Sequence, residues 1–210
     1  MIKFKKITAM LLIGTMCVAM AACGKKDDGV STESDSGKVD EIVATTAAQS
    51  AYKNDVAVAD IEAAVATALG EDYYATMPVE TLEMLEITPD MYTEFVYKMP
   101  MINVNVDTLI VVKAAEGKVA DVEAKLNHFR DNNLNDLMQY PMNLVKIQCS
   151  QVVTYGDYVV FVQLGADKAM LATENLPATT SEDEIAKLEM EAVNAQNQIA
   201  LDAIEAVLAK

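Results

Sequence analysis

The stretch Thr108-Leu109-Ile110-Val111-Val112 decides the fold of this chain. Because it is apolar on both faces of an extended backbone, it is typical of a central strand in a sheet. The residues before it, 93–101, alternate in polarity and predict a neighbouring strand. One face of that strand would carry Phe95, Tyr97, Met99 and Met101, and the other would carry Glu94, Val96 and Lys98.

A second pair of strands is predicted further along the chain, at residues 145–154 and 158–164. Tyr155-Gly156-Asp157 joins them, and Gly156 supplies the positive φ that a tight hairpin turn requires. Between the two hairpins, the clearest amphipathic helix starts at Glu116-Gly117, and Pro141 ends that region. Its apolar stripe consists of Val119, Val122, Leu126, Phe129 and Leu137.

Helices are also predicted on either side of this pattern. Residues 56–69 form the first, which stops at Gly70. Pro78 is expected to open a short helix that carries Val79, Leu82 and Leu85, and Thr88-Pro89-Asp90 is another helix-start signal. The last helix spans residues 182–209, where Ser181 and Glu184 form a capping box. Its apolar stripe would be Ile185, Leu188, Ala192, Ile199, Ala203 and Val207.

The predicted order is therefore helix, helix, strand, strand, helix, strand, strand, helix. Two β-hairpins separated by a helix most simply form one antiparallel sheet that helices cover on a face. We expect an α+β fold. It would consist of one antiparallel sheet from two β-hairpins flanking a long amphipathic helix, with the N- and C-terminal helices packed on it.

The beginning of the chain has the pattern of an export signal. Lys3, Lys5 and Lys6 precede the apolar run 7–20, and Ala21-Ala22 stands directly before Cys23. The run is shorter than the roughly 20 residues of a membrane-spanning helix, which disfavours an uncleaved anchor. The stretch resembles a lipobox, and this resemblance implies cleavage before Cys23 and a diacylglycerol thioether on it, whose two acyl chains give stable anchoring.

Three regions follow from this interpretation. Residues 1–22 would be a lipoprotein signal peptide. Residues 23–50 would be the lipidated cysteine and a flexible tether, because small and polar side chains dominate there. Residues 51–210 would be a single α+β domain that includes the C-terminal helix. The protein is therefore expected at the cell membrane, lipid-anchored on the extracytoplasmic face.

Charge limits the partners of such a domain. The chain has 16 basic and 32 acidic residues and a net charge of −16. Without residues 1–22, which hold three lysines and no acid, 13 basic residues remain and the net charge is −19. A body this acidic repels polyanions, so binding to nucleic acid is disfavoured. The hydrophobic content of 52% argues against global disorder.

Three internal motifs accompany the lipobox leader. They are Asp60-Ile61-Glu62 in the first helix, Leu109-Ile110-Val111-Val112-Lys113 in the central strand, and Tyr155-Gly156-Asp157-Tyr158-Val159-Val160-Phe161 in the second hairpin. Together the four features resemble the small Gram-positive lipoproteins that share a single domain of unknown function. The resemblance covers about residues 55–165. It implies a cell-envelope location in a Gram-positive bacterium, and no catalytic residue, because that family has no established activity.

Residues for nucleophilic catalysis are scarce. The only histidine, His128, lies beside the apolar stripe of the long helix and is interpreted as a surface or boundary residue. After the tether the serines are Ser150 and Ser181, and neither stands in a Gly-x-Ser-x-Gly elbow. Cys149 lies in an alternating apolar stretch and is expected in the core. Mechanisms of the Ser-His-Asp or Cys-His type are therefore disfavoured.

Metal-binding patterns are equally weak, and no cofactor is predicted. Residues 131–136 space oxygen ligands like a calcium loop, but the glycine at position six is missing and Met142 replaces the glutamate at position twelve. Local hydrogen bonds at a helix end explain the segment better. Thioether binding of Cu(I) is conceivable for Met99 with Met101, or for Met138 with Met142, although methionines that fill core gaps are favoured.

The leading functional hypothesis is a non-enzymatic binding or assembly module of the cell envelope. Its partners would be the membrane, through diacylglycerol on Cys23, and an envelope protein or wall component. The working surface would be an exposed sheet face or the groove between sheet and helices. The aromatic candidates on it are Tyr97, Tyr155 and Tyr158. Ordinary packing explains each of these tyrosines better.

Two alternatives remain open. One is an envelope hydrolase that uses carboxylates, which requires two inward-facing acids in a concave pocket. The other is a methionine-based metal carrier, which requires thioethers of Met99, Met101 and a third methionine in one coordination sphere.

Overall fold

A computed structural model describes residues 51–73, 77–101, 104–136, 138–165 and 168–210. The expected signal peptide, Cys23 and the tether lie outside these residues. The helices of the described part are α1 (Val58–Leu69), α2 (Val119–Asn135), α3 (Pro141–Gln148), α4 (Lys168–Thr173) and α5 (Glu182–Leu208). The strands are β1 (Met77–Pro78), β2 (Tyr92–Met99), β3 (Thr108–Ala114), β4 (Gln151–Tyr155) and β5 (Tyr158–Gln163). No described helix has the length and apolar character needed to cross a membrane.

The strands form one open antiparallel sheet in the order β1-β2-β3-β5-β4. The α+β prediction and the central position of β3 are thus confirmed. In the register, Val111 of β3 lies opposite Val96 on one side and Val160 on the other. Gly156 has a φ of 61° in the turn between β4 and β5, as its role in the hairpin requires.

Helices cover both faces of the sheet, whereas one covered face was expected. α1 and α5 pack on one face, against Leu109, Val111, Val160 and Val162. α2 and the segment 82–91 pack on the other, where the sheet contributes Ile110, Val112, Val159 and Phe161. The reason is that β3 and β5 have no polar face to leave in water. Each such side chain contributes about 1.5–3 kcal/mol when it is fully buried.

The helix α2 bears out its predicted stripe in part. Val122 and Leu126 are fully buried, and Val119 and Phe129 are partly buried against the same core. Leu137 lies outside the described residues.

Residues 141–150 were predicted wrongly. Pro141 begins helix α3, and residues 145–150 are helix and turn rather than strand. Proline suits the first turn of a helix because its missing N–H would have no intrahelical partner there. Asn143, Lys146 and Ile147 then share one buried helix face.

Pro78 also lies in a different element from the one expected. With Met77 it forms the edge strand β1, where Met77 pairs with Met99 and Pro78 with Lys98. A proline fits an edge strand because one side of its backbone needs no partner. The residues after it form a 3-10 turn rather than a helix, and residues 89–90 form a turn rather than a helix start.

The last helix has the predicted limits but a different buried face. Ser181 caps it by accepting a hydrogen bond from the Glu184 amide at 3.3 Å. Ile199, placed on the stripe by the sequence, is 44% exposed. The buried positions are instead Val193, Gln196, Asn197, Ala200, Leu201, Ile204 and Leu208. Asn197 is buried because its side chain hydrogen-bonds to the Leu164 amide and to the Cys149 carbonyl, which a stripe defined by hydrophobicity does not reveal.

Candidate binding cleft

A cleft of about 380 Å³ opens where α3 and α4 meet the first half of α5 and the loop before β3. Its volume is at the lower end of the range for small-molecule sites. It could therefore hold a small ligand or a few large side chains of a partner. The residues that line it are Val104, Asn105, Pro141, Met142, Val145, Lys146, Gly165, Ala169, Met170, Thr173 and Glu189.

Gly165 allows the cleft to form at the end of β5. Its φ of 116° is in the range that favours glycine, and a Cβ placed there would lie 3.3 Å from Cγ1 of Val193 on α5. A larger residue would therefore be strained and would also crowd α5. Glycine at this position lets the chain leave the sheet towards α4 while α5 stays close.

The charged base of the cleft is Lys146, which is only 6% exposed. Its Nζ lies 3.9 Å from Oδ1 of Asp107, a residue with no exposed surface, and donates a hydrogen bond to Oδ1 of Asn105 at 3.3 Å. The same Asn105 oxygen accepts from the Asp107 amide at 2.9 Å. These contacts hold the ammonium group in place and balance its charge inside the protein.

Buried amides without partners lie close to this base. Within the described part of the chain, neither amide atom of Asn143 has a hydrogen-bond partner, nor does Oε1 of Gln163 or Nε2 of Gln196. Asn143 is one helical turn from Lys146, and Gln196 lies beside Gly165. The surroundings of Lys146 therefore contain further buried polar groups besides its ion pair with Asp107.

Methionines contribute the apolar character of the cleft, and the expectation that they fill the core is wrong. Of the nine methionines in residues 51–210, only Met91 is buried, and seven are counted among the exposed hydrophobic residues. Met101 and Met138 are 78% and 88% exposed. Met142 and Met170, which line the cleft, are 66% and 64% exposed. Flexible, polarisable thioethers on a surface are typical of adaptable binding sites.

Acidic side chains dominate the charge around the cleft. Each lysine of α3, α4 and α5 lies near a carboxylate: Lys146 near Asp107, Lys168 2.7 Å from Asp72, and Lys187 3.7 Å from Glu191. Glu189 lines the cleft, and no ion pair joins it to another described residue. The first half of α5 carries five acidic residues against one lysine, so the surroundings of the cleft are net negative: Glu182, Asp183, Glu184, Glu189 and Glu191 against Lys187.

The aromatic candidates are packing residues, as expected. Tyr158 is fully buried, and its hydroxyl donates to the Val56 carbonyl at 2.7 Å. Tyr155 is 6% exposed and packs edge-on against Tyr52. Tyr97 packs against the core on the α2 face. Burial is the main cause that raises the pKa of all three phenols.

His128 is exposed, as predicted, and borders a second cleft of about 60 Å³ on the α2 face. This cleft also contains Glu86, whose carboxylate accepts a hydrogen bond from Lys125 at 2.6 Å. That hydrogen bond lowers the pKa of Glu86. The pair is thus a surface ion pair rather than a general acid, which would need a raised pKa.

Cys149 is buried, as predicted, but it follows α3 instead of lying in a strand. Burial raises the pKa of its thiol, and its Sγ donates to the Met190 carbonyl at 3.7 Å. These surroundings disfavour a nucleophilic thiolate.

Local hydrogen bonds are confirmed at residues 131–136: Asn135 Nδ2 donates to the Asp131 carbonyl at 2.7 Å.

The requirements of the two alternative hypotheses are met only weakly. Glu189 is the single carboxylic acid among the described residues that line the cleft. In the same part of the chain, no group of three or more His, Cys, Asp or Glu side chains could hold a metal ion. Met99 has Met77 opposite it in the sheet, and Met101 lies beyond the end of β2.

Sequence reasoning did not identify Met170, Glu189, Lys146 or Gly165 as members of one site. They come from four separate segments that only the fold brings together. One signal was present in the sequence: four of the nine methionines in residues 51–210 fall between positions 138 and 190. A lysine between apolar residues, at position 146, was a second.

Comparison with known proteins gives a match to one domain but no activity. No curated protein and no solved structure matches the chain. The family model that matches covers residues 71–164, from the 3-10 turn after α1 to the end of β5, and so includes the central strand and the second hairpin but not the Asp60-Ile61-Glu62 motif. Residues 71–164 are therefore a DUF4358 domain, a domain of unknown function.

Proposed function

We propose that this protein is a lipid-anchored module of a Gram-positive cell envelope. Diacylglycerol on Cys23 would hold it at the extracytoplasmic face of the cell membrane, and it would bind a partner in the cleft between α3, α4 and α5 without catalysing a reaction. The anchor is supported by the order of basic residues, apolar run, small residues and cysteine in residues 3–23.

The observation that carries the binding role is the exposure of Met142 and Met170 on the walls of a cleft whose base holds Lys146. Apolar surface in a concave site with a few fixed polar groups is the usual composition of a binding pocket. A buried, internally balanced ion pair gives such a site a rigid base. The described residues that line the cleft offer contact area and shape rather than a nucleophile paired with a general base.

The anchor is tested with two matched cysteine substitutions. Cys23→Ala should move the protein from the membrane fraction to the medium or periphery, because no thioether can form. Cys149→Ala is the control, and it should leave the protein in the membrane fraction. Unchanged membrane association of Cys23→Ala would contradict the proposed anchor.

The cleft is tested by methyl NMR on protein labelled at its methionine methyl groups. Benzyl alcohol, a small neutral apolar probe, should shift the signals of Met142 and Met170. Met84 is the internal control, because it is 87% exposed but lies on the α2 face of the sheet. Met170→Glu should abolish the shift of Met142. Equal shifts at Met84 and Met142 would contradict a binding site in the cleft.

A further inference from the structure

We infer that the cleft binds a basic amphipathic segment of another envelope protein. Its apolar side chains would contact Met142 and Met170, and its lysine or arginine side chains would face the acidic surroundings. The inference rests on the proposed function, because it names the partner of the same cleft.

Apolar side chains are also exposed outside the cleft, on the helices that form it. Beside the two methionines, Tyr140, Leu144 and Leu171 are 52%, 45% and 55% exposed. They lie on or next to the same helices, α3 and α4, so these helices expose apolar side chains besides those of the cleft walls. Exposed apolar surface of this kind marks an interaction site. An amphipathic helix binds such surfaces by placing side chains from one face into a groove.

The charge around the cleft determines whether its partner should be basic or acidic. The lysines of α3, α4 and α5 are already near carboxylates, whereas Glu189 on the cleft wall has no ion pair among the described residues. The exposed Glu174 follows α4 directly, and the whole chain has a net charge of −16. The field around the cleft therefore attracts cations and speeds the approach of a basic segment.

The same charge disfavours two other occupants of an apolar cleft. A second copy of this chain would bring an identical acidic surface against the first, and like charges that face each other cost free energy. An anionic membrane surface would be repelled for the same reason. A cationic amphipathic segment satisfies both the apolar walls and the surrounding charge.

The test uses the full chain, isolated as its host processes it and held in zwitterionic phosphatidylcholine nanodiscs. Three synthetic helices serve as probes: one of leucine and lysine, one with glutamate in place of lysine, and one with serine in place of leucine. Fluorescence anisotropy of labelled peptides gives the dissociation constants. The leucine–lysine peptide should bind at least about tenfold more tightly than either other peptide, and salt should weaken it.

Four variants locate the site. Met170→Gln and Met142→Gln should each weaken binding of the leucine–lysine peptide about tenfold, because they remove apolar contacts without changing the charge, and both positions are exposed enough for the fold to tolerate the change. Glu189→Gln should weaken it by a smaller factor. Met84→Gln is the matched control at the separate cleft on the α2 face and should leave the affinity within about twofold.

Any one of the following results would overturn the inference. Equal binding of the leucine–glutamate peptide would show that charge does not select the partner, while benzyl alcohol could still shift Met142 and so leave the proposed cleft intact. Equal weakening by Met84→Gln and Met170→Gln would show that the peptide binds elsewhere. Self-association that Met170→Gln abolishes would show that the cleft binds a second copy of the chain. Binding to phosphatidylglycerol vesicles that Met170→Gln abolishes would show that it binds an anionic membrane. Either result would overturn the inference.

Discussion

The Nζ of Lys146 lies 3.9 Å from the carboxylate of Asp107, inside the protein. Lys146 belongs to α3, and Asp107 directly precedes the central strand β3. The pair thus connects the wall of the cleft to the centre of the sheet. Two charges removed from water are stable only when both partners stay in place.

Lys146→Met should lower the free energy of unfolding by about 3–5 kcal/mol, because it leaves the Asp107 charge buried without the cation 3.9 Å away. The double variant Lys146→Met with Asp107→Asn should recover most of this loss, since no buried charge remains. Denaturant titration measures the free energies of unfolding of the wild-type protein, the single variant and the double variant. Lys187→Met is the control, because its pair with Glu191 is exposed, and it should change little. A double variant less stable than Lys146→Met would contradict this role.

Asn197 joins three elements through one side chain. Its Oδ1 accepts from the Leu164 amide at 2.8 Å, and its Nδ2 donates to the Cys149 carbonyl at 2.9 Å. Asn197→Leu keeps the branched shape of the side chain but leaves both backbone groups buried without partners, so it should cost about 2–4 kcal/mol. Asn194→Leu, at an exposed position of the same helix, is the control. Equal stability of the two variants in thermal or denaturant unfolding would refute the connecting role of Asn197.

Much of the sheet could be predicted because its residues have no alternative. The run 108–112 has no polar face, and Gly156 marks a tight turn between two apolar strands. The capping of α5 by Ser181 could be predicted for a similar reason, because it involves only Glu184, three residues along the chain. Signals of this kind depend on neighbours in sequence, and the fold leaves them unchanged.

Other elements could not be predicted because tertiary contacts decide them. Val145, Ile147 and Cys149 alternate like a strand, yet the chain there is helical so that Lys146 can reach the residues before β3. Likewise α5 buries Asn197 and exposes Ile199, because the amide has hydrogen-bond partners on two other elements. Hydrophobic periodicity carries no information about such partners.

The cleft was the least predictable part. Its residues come from the loop before β3, from α3, from the segment around α4 and from α5. A methionine looks the same in sequence whether it fills a core or lines a surface. Only the exposed fractions of Met142 and Met170 separate the two roles.

Thiol titration provides a prediction about the anchor. If the leader with Cys17 is removed and Cys23 is lipidated, Cys149 is the single remaining thiol, and it is buried with a raised pKa. The native protein isolated from membranes should therefore show no thiol that reacts rapidly with a thiol reagent, and it should show one reactive thiol after denaturation. A thiol that reacts rapidly in the native protein would contradict lipidation of Cys23.

Alkaline pH should destabilise the fold through buried tyrosines. Burial is the main cause that raises the pKa of Tyr155 from 10.0 to about 12, and the charge of Glu205 adds to it. The unfolded chain then loses the phenol proton first, so stability is complete below pH 10 and falls as the pH rises towards 12. Tyr155→Phe should reduce this fall by about 1–3 kcal/mol. Identical pH profiles of the two proteins in denaturant unfolding would contradict the prediction.

Photo-crosslinking in living cells tests most directly whether the cleft is the working surface. A benzophenone amino acid in place of Met170 should give an adduct with another envelope protein, through a segment rich in lysine or arginine. The same amino acid in place of Met84, the exposed methionine of the α2 face, should give none. The absence of an adduct from position 170, or the same adduct from both positions, would contradict this account.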